Sequence, residues 1–211
     1  ANTLLLMEER SLAEMATELG LNEEANQWND LADARAARIN ESLWDEDSGF
    51  YYHVDRETEA FTFETEDDLL RPEIVGFLPL WAGIVPEDRR ARLLDWLYDA
   101  DEFWRPFGVA GLAASDPYYS PSASQCCRWN GPVWVQWQYL IMRGLLDLGE
   151  LDRARELVDR TLAGVRAQLA RAHQFRELYD PDDDSLENHS MPNYVWTALI
   201  ALMMLELDEG R

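Results

Sequence analysis

Apolar positions along this chain recur mainly three and four residues apart, the spacing that places them on one face of an α-helix. Leu4, Leu5, Met7, Leu12, Met15, Ala16 and Leu19 form a first run, stopped by Gly20. A second starts at Asn22 or Glu23 and carries Ala25, Trp28, Leu31, Ala32, Ala36, Ile39 and Leu43. Arg71-Pro72 opens a third, through Ile74, Phe77, Leu78, Leu80 and Trp81 to near Pro86, because proline suits a helix start and cannot continue one. Pro86 heads a fourth, with Leu93, Leu94, Trp96 and Leu97 inward. Residues 133–148 (ended by Gly149), 151–172 and 194–207 complete the set. Two long stretches lack this period. Residues 45–63 hold the turn Asp47-Ser48-Gly49 and two short β-type runs, 50–54 and 60–63, which read as a hairpin. Residues 100–128 are rich in Gly, Ser, Pro and aromatics, and irregular segments of that length are uncommon unless functional. Helix pairs at roughly forty-residue spacing, with the long loops on one face, predict an all-α fold of about seven helices: an α/α toroid or solenoid with a small β-hairpin.

Composition narrows the class of partner. The chain has 211 residues, 47% of them hydrophobic and nine of them tryptophan, enough for one sizeable core. No apolar stretch approaches the ~18 residues that span a bilayer. Acidic residues number 41 against 18 basic ones, all arginine, for a net charge of −23. That charge repels phosphate backbones and anionic lipid, so neither a nucleic acid nor a membrane partner is expected. A lysine-free acidic surface fits a high-salt cytoplasm, where ions screen the self-repulsion, and equally the codon bias of a GC-rich genome. Cys126 and Cys127 are adjacent, a poor geometry for a structural disulfide. The segment 1–6 is apolar but runs into Glu8-Glu9-Arg10 with no basic n-region or cleavage site. A reducing cytoplasm is therefore the expected compartment.

No metal or cofactor is expected either. His53, His173 and His189 lack ligand spacing. Asp180, Asp182 and Asp184 alternate as in a calcium loop, but the sixth position is not glycine and the twelfth is Met191.

The chemistry concentrates in two motifs. Cys127-Arg128-Trp129-Asn130-Gly131-Pro132-Val133-Trp134 sets a Gly-Pro turn between two tryptophans and opens into a helical run. Indole faces on a rigid turn suit a sugar pocket, because pyranose rings present flat C–H surfaces to aromatic planes. Further on, Phe175-Arg176-Glu177-Leu178-Tyr179-Asp180-Pro181 places a carboxylate among aromatics just after a second amphipathic run. The bland alternatives are core packing for Trp129 and Trp134 and an exposed post-helix glutamate for Glu177. Trp196 reads more readily as core than as site. Asp67-Asp68 and Asp116 are further acids on the loop face, without a pattern that assigns them a role.

At these motifs the chain resembles the α/α-toroid glycoside hydrolases: family 63 glucosidases, mannosylglycerate and glucosylglycerate hydrolases and, more distantly, trehalases. Leu43-Trp44-Asp45-Glu46-Asp47-Ser48-Gly49-Phe50-Tyr51-Tyr52 is similar to the family's hairpin after a long helix. Gly76-Phe77-Leu78-Pro79-Leu80-Trp81-Ala82-Gly83 and Glu102-Phe103-Trp104-Arg105-Pro106-Phe107-Gly108-Val109 are similar to its next helix and aromatic loop. Trp129-Asn130-Gly131-Pro132-Val133-Trp134 matches its W-R-G-P-V-W element, and residues 175–181 with Asn193-Tyr194-Val195-Trp196-Thr197-Ala198 match its base-bearing loop and last helix. The ordered series runs over nearly the whole chain. The resemblance implies an inverting hydrolase of an α-glucoside or α-mannoside, with Glu177 as general base. It also implies Trp129, Asn130, Gly131 and Trp134 around the departing sugar, and Trp196 near the floor of that subsite.

Three departures accompany the match. Asn130 stands where the family usually has arginine, and Pro181-Asp182-Asp183-Asp184-Ser185 replaces its Pro-x-Thr-Gly. The Asp-Asn-Ser-Pro-like motif that carries the family's general acid does not occur in this sequence. The chain is therefore expected to be a single α/α unit, the C-terminal part of a larger catalytic domain. Two functions stay open: an inverting glycosidase, or a non-catalytic half-toroid that binds sugar or completes a partner. In either case a carbohydrate ligand is expected, together with homo-oligomerisation or association with the missing half.

Overall fold

The structure is a computed structural model that describes residues 1–62, 71–122, 129–185 and 188–208. Two long helices open the chain, α1 (Asn2–Glu18) and α2 (Asn22–Ser42). They pack along their length through Leu6, Ala13, Ala16, Ala25, Ala32 and Ile39, all buried. A bidentate pair, Arg35 to both carboxylate oxygens of Glu9 at 2.6 and 2.8 Å, ties them further.

The Asp47-Ser48-Gly49 turn does form, but it pairs β2 (Phe50–Tyr51) backwards with β1 (Trp44–Asp45). Asp45 Oδ2 accepts the Ser48 N–H at 2.8 Å, closing the turn. Among the described residues, which end at 62 here, the expected hairpin between 50–54 and 60–63 survives as a Val54–Phe61 bridge flanked by two backbone bonds.

The third expected helix forms in part, half of it as a 3₁₀ turn. Ile74–Phe77 is 3₁₀ and only α3 (Leu78–Trp81) is α-helical. Pro79 has no N–H, and its ring would clash with a carbonyl four residues back, so proline is tolerated only in the first turn of an α-helix, and the α-helical part starts at Leu78. Helix α4 (Glu87–Tyr98) follows as expected. The stretch read as irregular contains a second hairpin, β3 (Trp104–Arg105) with β4 (Gly108–Val109).

Helices α5 (Val135–Asp147), α6 (Leu151–Ala172) and α7 (Leu199–Asp208, preceded by a 3₁₀ turn at Val195–Ala198) pack on one another. Helix α3 lies against α5 at Gly144, where a Cβ would stand 2.8 Å from the Trp81 nitrogen. The main core joins these elements. Phe77 meets Phe50 and Phe103 edge-on, with ring centroids 5.1 and 4.9 Å away. The result is a helical, partial α/α toroid whose loops collect the aromatic residues.

Candidate active site

Distant loops are brought together by backbone pairing. Gln138 in α5 is wholly buried, and its side-chain amide exchanges two hydrogen bonds with the Val109 backbone, at 2.8 and 2.9 Å, anchoring β4 to the helix. Beyond β4, the Gly111 N–H donates to the Gly131 carbonyl (2.9 Å) and the Ser120 N–H to the Asn130 carbonyl (2.7 Å). Val133 then exchanges two backbone bonds with Tyr179, at 2.8 and 3.0 Å. The Glu177 N–H reaches the Met191 carbonyl at 2.9 Å, next to an Arg176–Pro192 bridge. Residues 111–112, 130–133, 176–179 and 190–192 therefore lie side by side. This short ladder carries the two motifs picked out in the sequence.

Trp129 and Trp134 stack face to face, 3.9 Å between centroids and 1° from parallel. Their exposures differ completely: Trp134 is 1% exposed and Trp129 52%. Trp134 is thus a buried pillar behind Trp129 and offers no open face to a ligand. Trp137 meets Trp129 edge-on at 6.5 Å, and Tyr194 meets Trp134 at 6.4 Å. Trp196 is 49% exposed rather than core, with its ring edge-on to Tyr194 at 5.6 Å. Asn130 is half-buried, and its amide donates to the Tyr118 carbonyl at 2.6 Å. Gly131 has φ +152°, and a Cβ there would lie 2.8 Å from the Ser120 carbonyl, so the turn requires glycine.

Glu177 is 6% exposed, and its Oε2 is buried without a hydrogen-bond partner among the described residues. Its neighbour Leu178 packs with Trp134, Trp137 and Tyr194. The Tyr194 hydroxyl is pushed above its ordinary pKa by burial first and then by the charge of Glu177, so the two groups share one environment.

The backbone around Glu177 is held by buried polar groups. Asn188 donates to the Leu178 carbonyl (2.6 Å) and Ser190 Oγ to Asn188 Oδ1 (2.7 Å). Thr197 Oγ1 donates to the Arg176 carbonyl (2.6 Å), and the Arg176 N–H to the Tyr179 hydroxyl (3.0 Å). The segment replacing Pro-x-Thr-Gly is tied in through Asp182, which accepts from Arg105 (2.6 Å) and Tyr119 (2.8 Å). Asp180 accepts the N–H groups of Asp182 and Asp183, so both carboxylates serve the loop itself. Among the described residues there is no cluster of three metal-type ligands.

Other groups escaped the sequence reading. Gln136 and Trp137, in the first turn of α5, bury polar side-chain atoms without partners among the described residues. An amphipathic helix start gives no sign of that. Asp116, which the sequence marks only as an acid on the loop face, is buried, with Oδ1 accepting the Tyr118 N–H at 2.8 Å and Oδ2 without a partner among the described residues. Cys126, Cys127, Asp67 and Asp68 lie outside the described residues.

The profile of the mannosylglycerate hydrolase MGH1-like glycoside hydrolase domain matches residues 1–197. The chain belongs to this family. It is 31% identical over 204 residues to a mannosylglycerate hydrolase of Rubrobacter radiotolerans, covering 95% of this chain and 42% of that protein. A family 63 mannosylglycerate hydrolase from Thermus thermophilus, solved in complex with glucose, superimposes with a TM-score of 0.76 at 24% identity. That match covers 97% of this chain and 46% of the other. A neutral trehalase of Saccharomyces cerevisiae shares the fold, with a TM-score of 0.74 at 19% identity, over 100% of this chain and 39% of that one. The MGH1-like chain thus spans less than half the length of these relatives. No helix among its described residues is long and apolar enough to cross a membrane, and the relatives include trehalases described as periplasmic.

Proposed function

We propose that this glycoside hydrolase domain carries the general base of an inverting glycosidase, Glu177, acting on a small α-mannoside or α-glucoside. The observation that carries the reading is the Glu177 carboxylate itself: buried, close enough to Tyr194 for its charge to act on that hydroxyl, with one oxygen unused by the described residues. A buried carboxylate oxygen without a partner costs about 1–3 kcal/mol, and such exceptions call for a functional explanation. An oxygen of this kind accepts a proton from water as the water attacks the anomeric carbon. A relative 31% identical to this chain bears the name mannosylglycerate hydrolase, which supports a compatible-solute glycoside as substrate.

Inverting hydrolysis needs a second carboxyl group ~6.5–9.5 Å from the base, on the far side of the sugar. We propose that this acid comes from outside the present 211 residues, on helices that complete the ring. The domain would then be one α/α unit that works in association, in a reducing compartment such as the cytoplasm, without nucleic acid, membrane, metal or cofactor. Glu177→Gln in the assembled protein is expected to lower hydrolysis by about 10²–10⁴-fold, the contribution of a positioned base, while the fold is retained. NMR of the first-formed anomer should show inversion. Activity near wild type in the variant would sink the assignment.

A second reading, a non-catalytic half that binds sugar or completes a partner, is favoured by the absence of an Asp-Asn-Ser-Pro-like motif. Sugar binding without turnover in the assembled protein would select it.

A further inference from the structure

The segment that carries Glu177 is fixed on two sides. Tyr179 exchanges backbone bonds with Val133, and the Glu177 N–H is held by the Met191 carbonyl. Beyond Tyr179 the chain leaves this ladder and enters Asp180-Pro181-Asp182-Asp183-Asp184, four carboxylates in five residues within a chain of net charge −23. Like charges at that density repel one another and favour an extended, solvated segment. Here the segment is folded back against the protein instead.

Asp182 is the side chain that ties it down. Its Oδ1 accepts from Arg105 Nε at 2.6 Å and its Oδ2 from the Tyr119 hydroxyl at 2.8 Å. Carboxylate and guanidinium are 28% and 21% exposed, so solvent screens them less than a surface pair. Two elements meet on this one carboxylate. Arg105 belongs to β3, and in the turn of that hairpin the Phe107 N–H donates to the Pro181 carbonyl at 3.0 Å. Tyr119 belongs to the loop after β4, where the next residue, Ser120, donates to the Asn130 carbonyl of the Trp129–Trp134 turn. Burial, and then the bond to Asp182, push the Tyr119 hydroxyl far above its ordinary pKa, so it stays a donor. On the other flank, Gln168 and Arg171 of α6 donate to the Asp184 carbonyl at 3.0 and 2.8 Å.

We propose that Asp182 is a positioning residue for Glu177: by tying the end of the base-bearing segment to β3 and to the loop of Tyr119, it sets where the Glu177 carboxylate stands. This rests on the reading of Glu177 as general base. Asp182 is assigned no contact with substrate, because both of its oxygens already accept from the protein. Leu178 and Tyr179 are buried, at 0% and 2% exposure, so the backbone between Asp180 and Glu177 passes a shift on rather than absorbing it. A base acts only within hydrogen-bond reach of its water, and a misplacement of about 1 Å costs about a hundredfold in rate. The acidic replacement of Pro-x-Thr-Gly then has a role in this chain.

The test is steady-state kinetics of the assembled protein, on whichever of mannosylglycerate, glucosylglycerate and trehalose the wild type hydrolyses fastest. Asp182→Ala, Tyr119→Phe, Glu177→Gln and the double variant Asp182→Ala/Glu177→Gln are compared, each checked by circular dichroism and assayed well below its melting point. Asp182→Ala is expected to lower kcat about 10- to 100-fold, with KM within about twofold of wild type. Tyr119→Phe, which removes one of the two bonds, should lower kcat severalfold in the same pattern. In the double variant the Asp182 change should add nothing to the loss in Glu177→Gln, since a residue acting through another is silent once that one is gone. The proposal falls if Asp182→Ala or Tyr119→Phe leaves kcat unchanged, if the loss appears in KM, or if the two losses multiply, as a separate substrate contact or a general weakening of the fold would make them. Should Asp182→Ala misfold, Tyr119→Phe, alone and combined with Glu177→Gln, decides by the same criteria. Glu177→Gln near wild type, or a wild type that hydrolyses none of the three, removes the base reading and this proposal with it. A full loss in Glu177→Gln with multiplied losses removes only the role of Asp182.

Discussion

Gly131 joins the Trp129–Trp134 turn to the loop after β4 by accepting from the Gly111 N–H, and at φ +152°, with the Ser120 carbonyl 2.8 Å from a would-be Cβ, it has no substitute. Gly131→Ala is expected to cost about 2–3 kcal/mol from strain and displacement of the turn. Urea denaturation would measure that loss, and near-UV circular dichroism should show weakened Trp129–Trp134 stacking; an unchanged midpoint would contradict the geometry. The Gly-Pro turn was legible because turn chemistry is local. The division of labour between the two tryptophans was not, since the same residue type serves as buried pillar or open platform depending on what covers it. Trp196 illustrates the same limit: it reads as core in an apolar run, yet stands half exposed. Tyr194 and Gln136 acquire their surroundings only when the loops around residues 133 and 177 close on one another.

Among the elements, the α1–α2 pair depends on one charged contact that periodicity does not reveal. Hydrogen bonding from Arg35 is the main reason the Glu9 carboxyl sits below the ordinary carboxylate range, with the charge of Arg35 adding to it against the cost of burial. A depressed pKa contributes stability above the unfolded value of about 4.3 and loses it as pH falls through the lower folded value. Glu9→Gln should therefore destabilise the protein by about 2 kcal/mol at pH 7. The gap from wild type should close as pH falls below about 4. Chemical denaturation across that range checks the sign: a gap that widens in acid would refute the pairing. Four long helices matched their 3.6-residue periods closely, because burying one stripe is a local requirement. The segment after Arg71 did not, because Pro79 keeps the α-helix from starting before Leu78 and Gly83, at φ +64°, follows just beyond its end. Phe50 and Tyr51 pair backwards because a closed turn at Ser48 and Gly49 puts Trp44 and Asp45 within reach first.

For the molecule as a whole, apolar side chains remain uncovered at both ends of the helical series. Leu5, Met15 and Leu19 on and beside α1, and Leu202, Met204 and Leu205 on α7, are exposed. Contiguous apolar faces of that kind rarely persist on monomers, and the structural relatives carry more than as much chain again. The isolated chain is expected to self-associate, despite its charge of −23. Sedimentation velocity should show concentration-dependent oligomers, reduced by Leu5→Glu combined with Leu205→Glu. A clean monomer at tens of micromolar would mean these faces need no partner.

The positions of the long helices, the turn at Ser48 and Gly49, the acidic composition and the order of family motifs were determined by the sequence alone, since each depends on neighbours a few residues away or on composition. The tertiary structure decided which strands of loop lie side by side, which face of Trp129 stays open and which oxygen of Glu177 the described residues leave unused. Those properties depend on what distant segments cover, and covering is a matter of packing in three dimensions rather than of local period.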